Sequence, residues 1–409
     1  MLAIVFYILA AVLIYFSYKS LHGGIDYLNY FKKELAKRQP AYTPFSTIIA
    51  PCKGLDEGLR ENLAVLLNQE YPDYEVIFVV DNETDPAVAV IEEVSRKGTK
   101  IAKLIVAPKA VDSSQKIENL REAVLHVSER SEIFVFVDSD GRPAKDWLRH
   151  LIAPLEDESI GAATGYRWFI SKNPSFASEM RSIWNASIAS ALGASTKSNF
   201  CWGGSMAIRR QKFERLDIRE KWNGTLSDDF VVTRTMNAAG LPIYFVPQAL
   251  TASIEDCTFH ELLEFTTRQM KITRVYAPNL WMLSYFGSSI FNVVMIGSLI
   301  IIILNRSLSP ETILAFVTLM LVTALSLAKS TLRLKTVEMV LRDYSSELGR
   351  QYWSHNILTL LAPGLFLYNC IAASVSRRLT WRGVTYQLTA ADKIEIVASK
   401  GIFRNSGGD

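Results

Sequence analysis

The sequence predicts an α/β fold: a doubly wound, mostly parallel sheet with a membrane anchor before it and membrane helices after it. Three observations predict this. From about residue 44 to residue 271 short β-rich runs alternate with helical stretches, the pattern of strand–helix–strand units with right-handed crossovers. Residues 1–18, MLAIVFYILAAVLIYFSY, carry no charge, and neither do 275–305, 312–328 or 356–376. Spanning a bilayer takes roughly 20 apolar residues, so these four stretches are the membrane candidates. The chain has 409 residues, more than one globular domain usually holds.

The first stretch lacks a basic n-region and its apolar run is long, so it reads as an uncleaved anchor over residues 1–20 rather than a signal peptide. Lys32, Lys33, Lys37 and Arg38 follow it, which by the positive-inside rule places the next region in the cytoplasm. The soluble domain is expected over 44–257. STIIAPCKG (46–54) reads as strand then loop, LRENLAVLLNQE (59–70) as helix, and YEVIFVVDNETDPA (74–87) as strand and loop. AVIEEVSRK (89–97) reads as helix, IAKLIVAP (101–108) as strand, SQKIENLREAVLHV (114–127) as helix and IFVFVDSD (133–140) as the fourth strand. After it, 258–276 is an amphipathic interfacial helix, 279–376 a set of membrane helices and 377–409 a cytoplasmic tail. Three full crossings after the anchor would leave the basic SRRLTWRG outside, so one segment is expected not to cross. Pro363 and Gly364 make 356–376 a candidate for a bent or re-entrant segment, and part of 275–305 is the alternative.

Composition excludes several classes. A net charge of +3 is too small to suggest nucleic acid, and Cys52, Cys201, Cys257 and Cys370 lie too far apart for a zinc site or a disulfide framework. There is no G-x-G-x-x-G and no G-x-x-x-x-G-K-[ST], so neither a dinucleotide fold nor a P-loop is supported.

Carboxylates mark the candidate site. Ligands of open α/β sheets bind beyond the carboxyl ends of the strands, and there the chain puts Asp81 after the second strand and Asp138 and Asp140 after the fourth. Residues two apart on an extended chain face the same side, so Asp138 and Asp140 can reach one site, where their hard oxygens suit Mg²⁺ or Mn²⁺ bound mainly through diphosphate and water. Gly203 and Gly204 permit close backbone approach to a ligand. In GTLSDDFVVTRTMNAAG (224–240) Ser227 or Asp228 can cap the helix, and Asp229 is the better candidate for chemistry. Tyr166, Arg167 and Trp168 in YRWFI (166–170) fit packing or a strand lining the acceptor side, with packing the stronger reading.

The order of motifs resembles the membrane-bound inverting glycosyltransferases of family 2, most closely the ceramide glucosyltransferase family. PCKG, VVDNETDPA, SQKIENL, FVDSD, WGGSMAIRR, SDDF and TWRGVTYQL carry the resemblance, from about residue 44 to 388. It implies a GT-A type domain that moves a hexose from a nucleotide diphosphate sugar, UDP-glucose first, to a membrane lipid acceptor such as ceramide. Asp81 would contact the base, Lys116 the nucleotide or diphosphate, Asp138 and Asp140 the metal and diphosphate, and Asp229 would be the general base. The family's Q/R-x-x-R-W motif is altered here to RQMKITR: with Arg268 in first place, Lys271 stands for Arg and Ile272 for Trp. Arg268, Gln269 and Arg274 are then the candidate donor contacts, with membrane headgroups as the alternative partners of that helix. A polyprenyl-phosphate glycosyltransferase, a polysaccharide synthase, a nucleotidyltransferase and a catalytically inactive membrane scaffold are the rival readings.

Overall fold

The computed structural model describes residues 2–38, 40–305 and 307–399. The chain opens with helix α1 (Leu2–Leu35) and then alternates strands and helices: β1 (Ser46–Pro51), α2 (Leu59–Leu66), β2 (Tyr74–Val80), α3 (Ala87–Lys97), β3 (Ile101–Val106), α4 (Gln115–Ala123) and β4 (Ile133–Val137). The second half of the sheet follows with α5 (Trp147–Ile152), β5 (Ala162–Ile170), α6 (Phe176–Ala189), β6 (Ser205–Arg209), α7 (Arg210–Arg215), α8 (Ile218–Lys221), α9 (Asp228–Ala238) and β7 (Ile243–Ile254). Then come α10 (Phe259–Tyr276), α11 (Pro278–Leu304), α12 (Pro310–Glu338), α13 (Ser345–Leu358) and α14 (Ala362–Val375), and three closing strands, β8 (Arg378–Trp381), β9 (Val384–Ala390) and β10 (Lys393–Ser399).

The expected fold class is borne out. Seven strands form one sheet in the order β3-β2-β1-β4-β6-β5-β7. Its strands are apolar on both faces because both faces are covered. Ile48, Val76, Phe78 and Val135 pack under α2, α3 and α5, whereas Ile49, Ile77, Val79 and Phe136 pack under α4 and α7 to α9. On the second face Trp222 is wedged edge-on between Phe136 and Phe213, with centroids 5.4 and 5.3 Å away. One strand departs from the parallel expectation. β6 runs antiparallel to β4, with Val137 opposite Ser205, so the segment entering β6 arrives beside the end from which Asp138 leaves.

Among the described residues three helices, α1, α11 and α12, are long and apolar enough to cross a membrane, and α13 and α14 form a pair bent by 71°. The anchor is longer than the apolar run that predicts it, and its inner end is docked rather than tethered. Tyr27 and Phe31 pack into the cluster around Phe245, and the Tyr30 hydroxyl donates to the Phe245 carbonyl at 2.5 Å. Helix α10 begins with a capping box between Thr258 and Glu261. The segment expected as a plain tail folds into an antiparallel sheet of β8 to β10, whose Leu379, Tyr386, Leu388 and Ile394 join the core under the large sheet; residues 400–409 lie outside the described residues.

That docking constrains the topology. Tyr276 and Leu379 bury in the same core, so whatever crosses the membrane between them crosses an even number of times. If α11 and α12 each cross, the bent pair α13–α14 has to return to the side it left. With Cys257→Ser as background, Leu308→Cys between α11 and α12 is expected to react with a membrane-impermeant maleimide from one face of sealed vesicles, and Thr389→Cys and Lys97→Cys from the other. Labelling of Leu308→Cys and Thr389→Cys from one face would rule this topology out.

Candidate active site

The carboxyl ends of β1 and β4, the entry to β6 and the start of α9 enclose a cavity of about 1000 Å³. Asp138 and Asp140 reach it because β4 ends one residue earlier. Gly203 and Gly204 enter from the opposite strand direction. Side chains there would collide with the site itself: a Cβ on Gly203 would overlap the Asp228 carboxylate, and one on Gly204 would overlap the Trp202 ring and lie 2.7 Å from Asp138 Oδ2. The glycines let the backbone pass among carboxylates.

Four acidic side chains, Asp138, Asp140, Asp228 and Asp229, converge on this cavity. Two cations hold them together. Lys116 Nζ, delivered by α4 whose N-cap is Ser114, lies 2.8 Å from Asp138 Oδ1 and 3.0 Å from Asp228 Oδ1. The Arg167 guanidinium spans Asp138 Oδ2 and Asp140 Oδ2, each at 3.1 Å, and lies over the Trp202 ring at 4.8 Å. Burial works against the charge on Lys116, but Asp138, Asp228 and Asp229 outweigh it and hold the ammonium above its ordinary value. Asp138 is half-buried, and Lys116 and Arg167 keep its carboxyl below the usual range. Asp228 pays for the crowding: burial, with Asp229 and Asp138 beside it, pushes it up to about 6 against the pull of Lys116. Asp229 is half-buried; its Oδ1 accepts from Ser227 Oγ and from Phe230 N–H at 2.7 Å, and its Oδ2 from Gly203 N–H at 3.3 Å. Ser227 therefore orients Asp229 instead of capping α9, and Asp228 is an ion-pair partner.

Two buried oxygens, Asp140 Oδ1 and Asp228 Oδ2, have no hydrogen-bond partner. Among the described residues no group of three or more His, Cys, Asp or Glu forms a metal cage. This combination fits Mg²⁺ or Mn²⁺, which usually takes one or two carboxylates and completes its shell with phosphate and water.

Not every expected residue reaches the cavity. Lys116, Asp138, Asp140, Asp229, Arg268 and Gln269 line it. Asp81 sits behind it, 8% exposed and paired at 3.0 Å with Lys53, which does line it. Arg274 is turned away, donating to the carbonyls of Ala373 and Ser374 at the end of α14, the second at 2.9 Å. Of the altered motif, Ile272 is buried in the core and Lys271 Nζ donates to the Arg378 carbonyl. An aromatic ring nevertheless stands beside Arg268: Trp381 from β8, with the guanidinium 5.7 Å from its centroid. Arg268 forms no ion pair among the described residues. Sequence reasoning underrated Arg167, whose signal was a charge inside an otherwise apolar strand. It also missed Arg382, which pairs with Asp56 at 2.6 Å and brings the last sheet to the rim.

The raised Asp228 value has a thermodynamic sign. A carboxyl that holds its proton more tightly when folded favours folding at low pH, and that contribution is lost as pH rises through about 6. Asp228→Asn is therefore expected to stabilise the protein at pH 7.5 by on the order of 1–3 kcal/mol, with the gain shrinking toward pH 4.5. Thermal unfolding in detergent at the two pH values checks this; a variant less stable at pH 7.5 would contradict it.

The chain is similar to several known proteins. A β-monoglucosyldiacylglycerol synthase of Nostoc sp. is 27% identical over 199 residues, 46% of this chain and 40% of that protein. A ceramide glucosyltransferase of Komagataella phaffii is 30% identical over 95 residues, 23% of this chain and 18% of that one. The chain thus spans less than half the length of these curated relatives. A mannosyltransferase from Pyrobaculum calidifontis, solved with GDP-Man and Mn²⁺, superposes with a TM-score of 0.45 at 19% identity over 90% of this chain and 98% of that one. The family description Glycosyl transferase family 21 matches residues 5–394, nearly the whole described chain, and the protein belongs to that glycosyltransferase family.

Proposed function

We propose that the chain transfers a hexose, glucose from UDP-glucose in the first instance, to a hydroxyl of a membrane lipid such as ceramide or diacylglycerol, with inversion at the anomeric carbon and with the catalytic domain facing the cytoplasm. The observation that carries this reading is the continuity of one cavity. It runs from Asp138 and Asp140 past Asp229 to Leu280 and Ser284 of α11 and Phe366 of α14. A lipid keeps its chains in the bilayer, so an acceptor hydroxyl needs a carboxylate in a cavity that reaches the membrane helices, and Asp229 lines the same cavity as Leu280, Ser284 and Phe366. Relatives named for glucosylating diacylglycerol and ceramide support the acceptor class.

In this mechanism Asp229 accepts the proton of the acceptor hydroxyl while that oxygen forms its bond to the anomeric carbon. The bond from that carbon to the diphosphate oxygen breaks on the opposite face, so an α donor yields a β product. Ser227 and the Gly203 N–H hold the Asp229 carboxylate in place. Arg268, free of carboxylates and steadied by Trp381 and Phe265, faces the diphosphate, with Gln269 beside it. Lys116 and Arg167 stand ready to share their charge with the diphosphate. Asp81 acts from behind the cavity by fixing Lys53, and Arg274 by fixing the end of α14. A Mg²⁺ or Mn²⁺ ion held by Asp138 and Asp140 would neutralise the charge developing on the departing nucleotide.

Asp229→Asn is expected to reduce transfer of labelled glucose into extracted lipid by roughly 10²–10⁴-fold, the usual worth of a general base, with melting temperature little changed. Removing divalent ions with EDTA should abolish transfer, and Mg²⁺ or Mn²⁺ should restore it. Arg268→Ala should raise KM for the donor; unchanged kinetics would take Arg268 out of the site. Transfer that survives Asp229→Asn undiminished would sink the mechanism, and absence of transfer from every nucleotide sugar would sink the function.

A further inference from the structure

Helix α12 places Lys329 and Arg333 one turn apart, just where its uncharged stretch 312–328 ends. Ionisable groups within membrane helices are costly unless they are paired. These two are not. Lys329 Nζ donates only to Ser20 Oγ of α1, at 2.7 Å. Arg333 is 3% exposed; one nitrogen lies 3.5 Å from Ser187 Oγ, and its Nε and Nη2 have no hydrogen-bond partner among the described residues. Among the described residues neither cation has a carboxylate within 4.0 Å. Nor does either cap a helix carbonyl, as Arg274 does.

Both side chains line a second cavity of about 510 Å³ between α1, α11, α12 and the bent pair. Its polar wall is made of hydroxyls, among them Ser17, Ser20, Ser288 and Ser326, and its apolar wall includes Leu13 and Phe291. We infer that this cavity is a binding site for the phosphate of an anionic phospholipid, held between Lys329 and Arg333 with the acyl chains against the apolar wall. The level in the membrane agrees. The uncharged run of α1 ends at residue 18 and that of α12 at 328, so the cations sit at the boundary nearest the catalytic domain, where headgroups of that leaflet lie. Two cations with the Ser17 and Ser326 hydroxyls beside them suit phosphate oxygens, which accept and do not donate. Ser187, Ser284 and Phe366 line this cavity and the catalytic one, so the bound lipid would border the acceptor. The assignment does not depend on which sugar or acceptor the enzyme uses.

The test is native mass spectrometry of the full chain in neutral detergent with equimolar phosphatidylglycerol and phosphatidylcholine. One phosphatidylglycerol is expected to be retained, preferred by about tenfold or more, the scale of two basic side chains near a phosphate. Lys329→Gln with Arg333→Gln should lose the preference, and Lys329→Arg with Arg333→Lys should keep it. If the neutral double variant does not fold, Lys329→Gln alone should weaken retention. Equal retention of the two lipids, or a preference indifferent to these variants, would overturn the site. Thermal protection by inorganic phosphate without protection by phosphatidylglycerol would assign the cations to a free anion and overturn the lipid assignment.

Discussion

The arrangement of the active cavity depends on one ammonium group shared by two carboxylates. Four aspartates from the end of β4 and the start of α9 meet at one cavity, and like charges that close repel. Lys116 ties Asp138 to Asp228, and Arg167 ties Asp138 to Asp140. Without them the end of the sheet and the start of α9 would be driven apart. Burial, with Asp229 and Asp138 beside it, raises the Asp228 carboxyl, whereas Lys116 and Arg167 hold that of Asp138 below its usual range. A site short of positive charge is suited to a divalent ion arriving with a diphosphate.

The same ion cluster explains two choices of small or unexpected residues. The glycine pair before β6 leaves room for the Asp228 carboxylate at Gly203 and for the Trp202 ring and Asp138 at Gly204. Arg167 interrupts the apolar run of β5 because its neighbours at the sheet edge are aspartates. Each would be a defect in an ordinary strand.

The membrane part follows from a second constraint, closure of the chain on itself. The last sheet docks under the large one through Leu379, Tyr386 and Leu388, while α10 docks nearby through Tyr276. Both ends of the membrane segment therefore lie on one side. The bend between α13 and α14 is what that requires, and it places Trp381 beside Arg268. The aromatic ring that the altered motif lacks at position 272 stands instead on a strand more than a hundred residues later.

Much of this was legible in the chain. Uninterrupted apolar runs gave β1, β2 and β4, helical periodicity gave the helices between them, and uncharged stretches marked the membrane helices, because each of these is a short-range pattern set by burial on one or both faces. The acids at the strand ends marked the site for the same reason. Asp228 and Arg167 were weighed as cap and packing, and Arg274 was expected at a cavity it does not reach. What the sequence by itself determined was which segments are strands, helices or apolar spans, and where acid gathers. Which cation meets which carboxylate, the reversed direction of β6, the docked last sheet and the unpaired charges of α12 were decided by tertiary structure, since each depends on contacts between residues tens to hundreds of positions apart that local periodicity does not encode.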